Sequence, residues 1–220
     1  MESVMEFDFF FPYFQKYETI VAQADDAFKR MQEQYPKCVT CVIGCSECCY
    51  ALFDLTFIEA LYVNHKFNEF FANEKKADIL KRADEADRKI QVIKRKAYKS
   101  YQEGNNEKDI FNQIAQMKVR CPLLNDNKEC ELYNYRPITC RVYGLPTSIG
   151  DVAYSCGLSG YEKGTTYPTV KMDVIHKSLY DLSSELVDNL KTRYVKMADM
   201  LVPVSMALLT QYNEEYLGVV

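Results

Sequence analysis

The chain has 220 residues, 48% hydrophobic and 26% charged, an ordinary composition for a folded globular protein and enough for one good core or two small ones. A formal net charge of −4 argues against a nucleic-acid-binding face, which needs excess basic charge. Nine cysteines against two histidines stand out: an odd number suits a disulfide framework poorly, and a metal bound here would sit among thiolates.

The opening residues 1–8 are acidic where a secretory signal is basic. The apolar run over residues 9–14 is too short to span a bilayer and is broken by Pro12. No other segment carries 18 uncharged apolar residues, so the expectation is a soluble, cytoplasmic chain without a transmembrane segment.

From residue 13 to 35, Tyr17, Ile20, Ala24, Phe28, Met31 and Tyr35 recur at helical spacing, and Pro36 ends the helix. The first cysteine cluster, residues 38–49, follows at once. A second helix is predicted from Thr56, where Thr56 and Glu59 have the spacing of a capping box, to about Phe71. A third starts near Asn73, with Ile79, Ala83, Ala86, Ile90, Ile93 and Ala97 as its apolar stripe and Gly104 as its stop. Residues 56–103 read as a helical hairpin with a charged, solvated outer face. Helix is expected again over residues 107–119.

The second cysteine region, residues 121–156, is rich in Pro, Gly, Asn and Asp and is predicted irregular. Arg141-Val142-Tyr143 and Val152-Ala153-Tyr154 are its β-prone pieces, enough for one or two small hairpins. Helix returns over 173–192 with Ile175, Leu179, Leu182, Leu186 and Leu190 on one face, then over about 195–212, split or kinked by Pro203. The fold class expected is mainly α: a single domain over residues 1–220, with helices surrounding two irregular cysteine-rich metal-binding regions.

The first cluster places Cys38, Cys41, Cys45, Cys48 and Cys49 within twelve residues. The two-residue gap from Cys45 to Cys48 lets two thiolates turn toward one metal, and Gly44 permits the tight backbone this needs. Adjacent Cys48 and Cys49 point different ways and suit two centres better than one. The second region supplies Cys121, Cys130, Cys140 and Cys156. With Cys41, Cys45, Cys48 and Cys49 these make eight thiolates, enough for two four-cysteine centres, with Cys38 left over. Clustering at ligand spacing sets them apart from inert buried cysteines. The number of cysteines with no histidine among them and the adjacent pair favour iron–sulfur clusters over zinc. Arg120, Arg136 and Arg141 border the cysteines; they either offset thiolate charge or make surface ion pairs worth little. Tyr133 and Tyr143 are candidate donors to sulfur, and Asp54 either a further acceptor nearby or a residue preceding the helix cap. His65 and His176 read as packed or exposed helical histidines. Cys41, Cys45 and Cys48 also have the radical-SAM spacing, but the chain lacks the alternating strands and helices of that fold. No phosphate-binding glycine motif occurs.

Taken in order, C-x3-C-x2-C-C, R-C-P-x-L, C-x-L-Y, R-P-x-x-C-R-x-Y and a last cysteine resemble the YkgJ-type cysteine-cluster proteins, described as zinc- or iron-chelating with a CxxCxxCC motif. The resemblance covers residues 41–156. It implies metal ligands at Cys41, Cys45, Cys48, Cys49, Cys121, Cys130, Cys140 and Cys156. This chain departs from the motif in having three residues, not two, between Cys41 and Cys45. The expectation is one or two iron–sulfur clusters, 4Fe–4S in type, in a redox or electron-transfer role with a redox or protein partner. The alternatives are a zinc-stabilised interaction module and, by analogy with a similar cysteine motif in flagellin lysine N-methylases, an enzyme; no methyl-donor pocket is recognisable.

Overall fold

A computed structural model describes residues 7–150 and 152–219. The acidic stretch over residues 1–6 lies outside the described residues. The fold is mainly α, with eight α-helices and two small sheets among the described residues. No helix among them is long and apolar enough to cross a membrane.

Helix α1 spans Phe11–Gln34 and buries Tyr13, Phe14, Tyr17, Ala24 and Met31, the stripe its periodicity predicted. Helix α2, Phe57–Phe70, begins at the Thr56–Glu59 capping box and is buried almost all round. Helix α6, Met172–Leu190, closes the main core over α1 and α2 with Leu179, Leu182, Leu186 and Leu190. Ser183 of α6 satisfies an orphan donor at the start of α2: its Oγ accepts from Ile58 N at 3.2 Å and donates to Leu179 O.

Helix α3 runs Asn73–Gln102 and α4 Glu107–Gln116. Ile79, Ala83 and Ala86 are buried, whereas Ile90, Ile93 and Ala97 are only half-buried, so the stripe meets a partner along its first half. That partner is chiefly α7, Val204–Leu209, rather than α2, which corrects the simple hairpin expected over 56–103. Ala60, Val63 and Phe67 of α2, Ile79 and Ala83 of α3 and Ala207 and Leu208 of α7 share a second core with Leu123 and Leu132. Asn64 ties α2 to the end of α7, donating to the carbonyls of Ala207 and Thr210 at 2.8 and 3.0 Å.

Two expectations fail. Arg141-Val142-Tyr143 is not a strand: helix α5, Ile138–Val142, starts after Pro137 and buries Ile138 and Val142. Tertiary burial and the proline overrule β propensity there. Residues 195–212 are not one kinked helix. Strand β5, Leu201–Pro203, pairs antiparallel with strand β1, Asp54–Thr56, and Pro203 ends the strand at the start of α7. Strands β2, Thr147–Ile149, and β3, Val152–Tyr154, form the expected hairpin; β4, Val170–Lys171, adds to β2 in parallel.

Candidate metal centre

The cysteine region is a set of short loops stitched together by backbone hydrogen bonds. Gly44 has φ +93°, the left-handed turn expected between Cys41 and Cys45. Cys48 and Cys49 follow on one short 3-10 turn, Glu47–Tyr50. Past that turn, Cys121 N donates to Cys49 O at 2.7 Å and Val119 N to Tyr50 O at 3.2 Å, zipping the first cluster to the second region. A tight turn over 123–131, closed by Glu131 N to Leu123 O at 2.8 Å and by a Leu124–Cys130 bridge, folds Cys130 back beside Cys121. Cys140 rides on α5.

Helix α5 is fixed by a group far away in sequence. Glu59 is buried, and its Oε1 accepts from Ile138 N at 3.1 Å, a buried N–H at the start of α5 that has no partner within the helix. Tyr17 Oη and the Thr56 N–H and hydroxyl complete its partners at 3.2–3.4 Å. The carboxylate that caps α2 thus also sets where Cys140 sits. On the other flank, Gly144 packs so closely on Cys41 that a Cβ there would lie 2.8 Å from the Cys41 Cβ. Thr40 Oγ1 donates to Leu158 O at 2.8 Å, holding the segment that carries Cys156.

The result is one cavity of about 90 Å3, lined by Cys41, Cys45, Cys48, Cys49, Cys121, Cys130 and Cys140. Its remaining wall is largely apolar and includes Leu52, Phe53, Ile90 and Val204. All nine cysteines are free and partly buried. Cys156 does not line the cavity, though its charge acts on Cys41 and Tyr143. Cys38 is elsewhere: it neighbours Tyr161, and its carbonyl accepts from Gly160 N at 2.9 Å.

The thiols perturb one another strongly. Cys48 is pulled down to about 3 because Cys140 and then Cys49 donate to its thiolate, with the Arg136 charge helping. Cys49 and Cys140 are pushed up in return, first because each gives its proton to Cys48 and then by burial. Burial, then the charge of Cys45 and Cys48, takes Cys41 to about 11. Burial raises Cys121 to about 12 and Cys130 to about 11. One thiolate is comfortable in this cavity and several are not, because like charges out of water repel. Ionising the full set requires a polyvalent cation among the sulfurs.

Of the three arginines singled out from sequence, Arg136 has its charge on the thiols, acting on both Cys48 and Cys130; its guanidinium lies 3.8 Å from the Tyr133 ring centroid. Arg120 pins the 121–126 turn, donating to the carbonyls of Leu124 and Asn125 and to Asp126. Arg141 is buried and donates to Arg136 O, Asp25 and Asn134 O, which makes it a staple between α1 and α5. Burial, then the charges of Cys156, Cys48, Glu47 and Cys140, raises the Tyr143 hydroxyl above its usual range. Asp54 instead pairs with Lys94 Nζ at 2.8 Å. Sequence reasoning missed Arg82 of α3. Its Nη1 donates to Leu124 O at 2.8 Å, its Nε and Nη2 make ion pairs with Asp78 at 3.5 Å and Glu131 at 3.6 Å, and its charge favours the Cys121 thiolate. The available signal was its i+3 place after Ile79 on the buried face of α3.

Among the described residues, no three Cys, His, Asp or Glu side chains stand ready as a group that holds a metal ion. The donor chemistry and number nevertheless suit a thiolate-bound group. A single zinc needs four sulfurs about 2.3 Å from one point, whereas a four-iron cluster would take each thiolate on a different iron and accept a wider ring. No family model, no curated protein and no solved structure matches the chain.

Proposed function

We propose that the chain is a cytoplasmic cysteine-cluster protein that carries one or two thiolate-bound iron–sulfur clusters in a redox or electron-transfer role. The observation that carries this reading is the gathering of seven free thiols, from four stretches of a 100-residue span of chain, around one cavity (residues 41 to 140). A structural zinc site uses at most four.

Such a group supplies one-electron chemistry when bound; the chain supplies the rest. The thiolates of Cys41, Cys45, Cys48, Cys49, Cys121, Cys130, Cys140 and Cys156 are the proposed ligands. Arg136 and Arg82 offset their negative charge from two sides. Leu52, Phe53, Ile90 and Val204 keep water from the cavity wall. These are the levers of burial, charge and donors by which proteins set a cluster's potential.

Purified without oxygen, the protein is expected to show a broad visible absorbance band that dithionite bleaches. A colourless protein that takes up stoichiometric zinc, but no iron or sulfide, on anaerobic reconstitution would overturn the reading.

A further inference from the structure

We infer that the second half of α3 is a docking ridge for an acidic electron-transfer protein. The inference rests on the reading above only for the partner's redox character; the basic side chains that form the ridge line no part of the cysteine cavity.

From Arg88 to Gln102 the helix carries Arg88, Lys89, Lys94, Arg95, Lys96 and Lys99 and no acidic residue. All six are exposed. Six of the chain's 27 Lys and Arg thus sit apart from all of its 31 Asp and Glu, which leaves a net charge of −10 on the rest of a chain whose total is −4. At 3.6 residues per turn, Arg88, Lys89, Arg95, Lys96 and Lys99 fall within about a third of the helix circumference, with Val92 among them. Ala86, Ile90, Ile93 and Ala97 take the side turned to the protein.

Ion pairs within the chain compensate only part of this charge. Arg88 pairs with Asp84 at 2.8 Å, Lys94 with Asp54 at 2.8 Å and Lys99 with Glu103 at 3.7 Å. Among the described residues, Lys89, Arg95 and Lys96 have no ion-pair partner. Arg95 and Lys99 stand four apart and Lys96 and Lys99 three apart, so they repel along the helix surface. An acidic partner relieves that repulsion.

The ridge stands on the back of the cavity wall. Ala86 and Ile90, on the inner side of the same helix, line the cysteine cavity. A partner seated on the ridge is therefore about 10–12 Å from the cavity, one helix thickness.

Length and surroundings favour a protein partner over other polyanions. The ridge is one helix wide, and Arg88 to Lys99 spans about 16 Å at 1.5 Å per residue. A nucleic acid carries its phosphates past that length onto acidic ground, Asp84 and Glu85 before the ridge and Glu103 and Glu107 after it. A bilayer surface requires apolar side chains beside the basic ones, and this face offers Val92 alone. A carboxylate-rich patch on a protein fits both length and sign. Electron-transfer encounters are characteristically small and steered by opposite charge.

The test titrates a labelled, acidic plant-type ferredoxin, as the probe, with the full-length chain at low ionic strength. Wild type should bind it, and added salt should release it. Lys89→Gln/Arg95→Gln/Lys96→Gln should bind about tenfold more weakly at unchanged iron content, because the three positions are exposed and Gln suits a helix. Lys29→Gln/Arg30→Gln/Lys163→Gln removes the same charge from exposed positions elsewhere and should bind as wild type does. Carbodiimide, which joins lysine to carboxylate, should cross-link the ferredoxin to Lys89, Lys96 and Lys99. No binding by wild type, an equal loss in the second variant, or cross-links only outside α3 would overturn the ridge. Tighter binding of a single-stranded oligonucleotide or of phosphatidylserine vesicles than of ferredoxin, lost in the ridge variant, would overturn the partner class. None of these readouts needs a cluster. A wild type that binds ferredoxin through α3 yet holds no iron would therefore overturn the redox reading and leave the ridge in place.

Discussion

Glu59 and the cysteine cavity are both places where this fold puts acidic groups out of water, and they are settled in opposite ways. Glu59 has four donors aimed at its two oxygens, from α1, from its own helix start and from α5. Nothing further is required there, and the group reads as structural. The cavity gathers seven thiols and only a few opposing charges, with Cys48 as its one favoured thiolate. A polar cluster that is fully satisfied rigidifies a fold; one that lacks counter-charge is where a ligand belongs.

The largest effect that separates the two regions is removal of metal. Chelation under anaerobic conditions should cost about 4 kcal/mol or more, the linkage expected when a ligand stands 1,000-fold above its dissociation constant. Hydrogen exchange should rise over 38–50 and 119–156 while α1, α2 and α6 keep their protection. Equal loosening of both regions would break the distinction.

Next is Glu59→Ala, which strands the Ile138 N–H and the Tyr17 hydroxyl in a buried setting and should cost about 1–3 kcal/mol per unsatisfied group by denaturant titration. Because Glu59 holds the start of α5, iron bound through Cys140 should also fall. Glu59 further predicts a pH dependence. Burial raises its pKa, so the folded chain holds this proton more tightly than the unfolded one. Its contribution is full below about 4.3, the unfolded value, and is lost as pH rises through the folded one. Wild type should therefore lose stability relative to Glu59→Gln as pH climbs from about 4.3. Melting curves of the pair across that range check the sign, and a constant difference would refute it.

Gly144→Ala tests the Cys41 flank. The new methyl meets Cys41 Cβ at 2.8 Å, so overpacking should cost about 1–3 kcal/mol and reduce metal content. A smaller effect is expected of Arg82→Gln, which removes a charge near Cys121 along with the hydrogen bond to Leu124 O and the ion pairs to Asp78 and Glu131. Loss of a positive charge near Cys121 disfavours the reduced, more negative state, so the midpoint potential should fall at unchanged iron content. Smallest of all is Lys94→Ala. Its exposed pair with Asp54 is worth no more than about 1 kcal/mol, and metal content should not change.

The helices were legible in sequence to within a few residues wherever one face is apolar at period 3.6 and an end is marked chemically. Thr56 and Glu59 for α2, and the Leu179–Leu190 stripe of α6, are the clearest cases. What could not be read depends on partners distant in the chain. Strand β5 exists because β1 lies 147 positions earlier, with Leu55 opposite Val202. Helix α5 wins over a β-prone local sequence because Glu59 receives its first N–H. For the site, clustering singled out the cysteines and the resemblance named eight of them; seven of the eight line the cavity, while Cys156 and Cys38 lie off it. Spacing gave no means of ranking Arg136 above Arg120 and Arg141, since that depends on which carbonyls and carboxylates already engage each guanidinium. Arg82 was hidden by the charge-rich helix around it.

The most direct test of the central claim is the content of iron, zinc and acid-labile sulfide in protein purified without oxygen. About four to eight irons per chain with matching sulfide is the predicted result. One or two zincs without sulfide would contradict it, making the cysteine region a metal staple with no electron to carry.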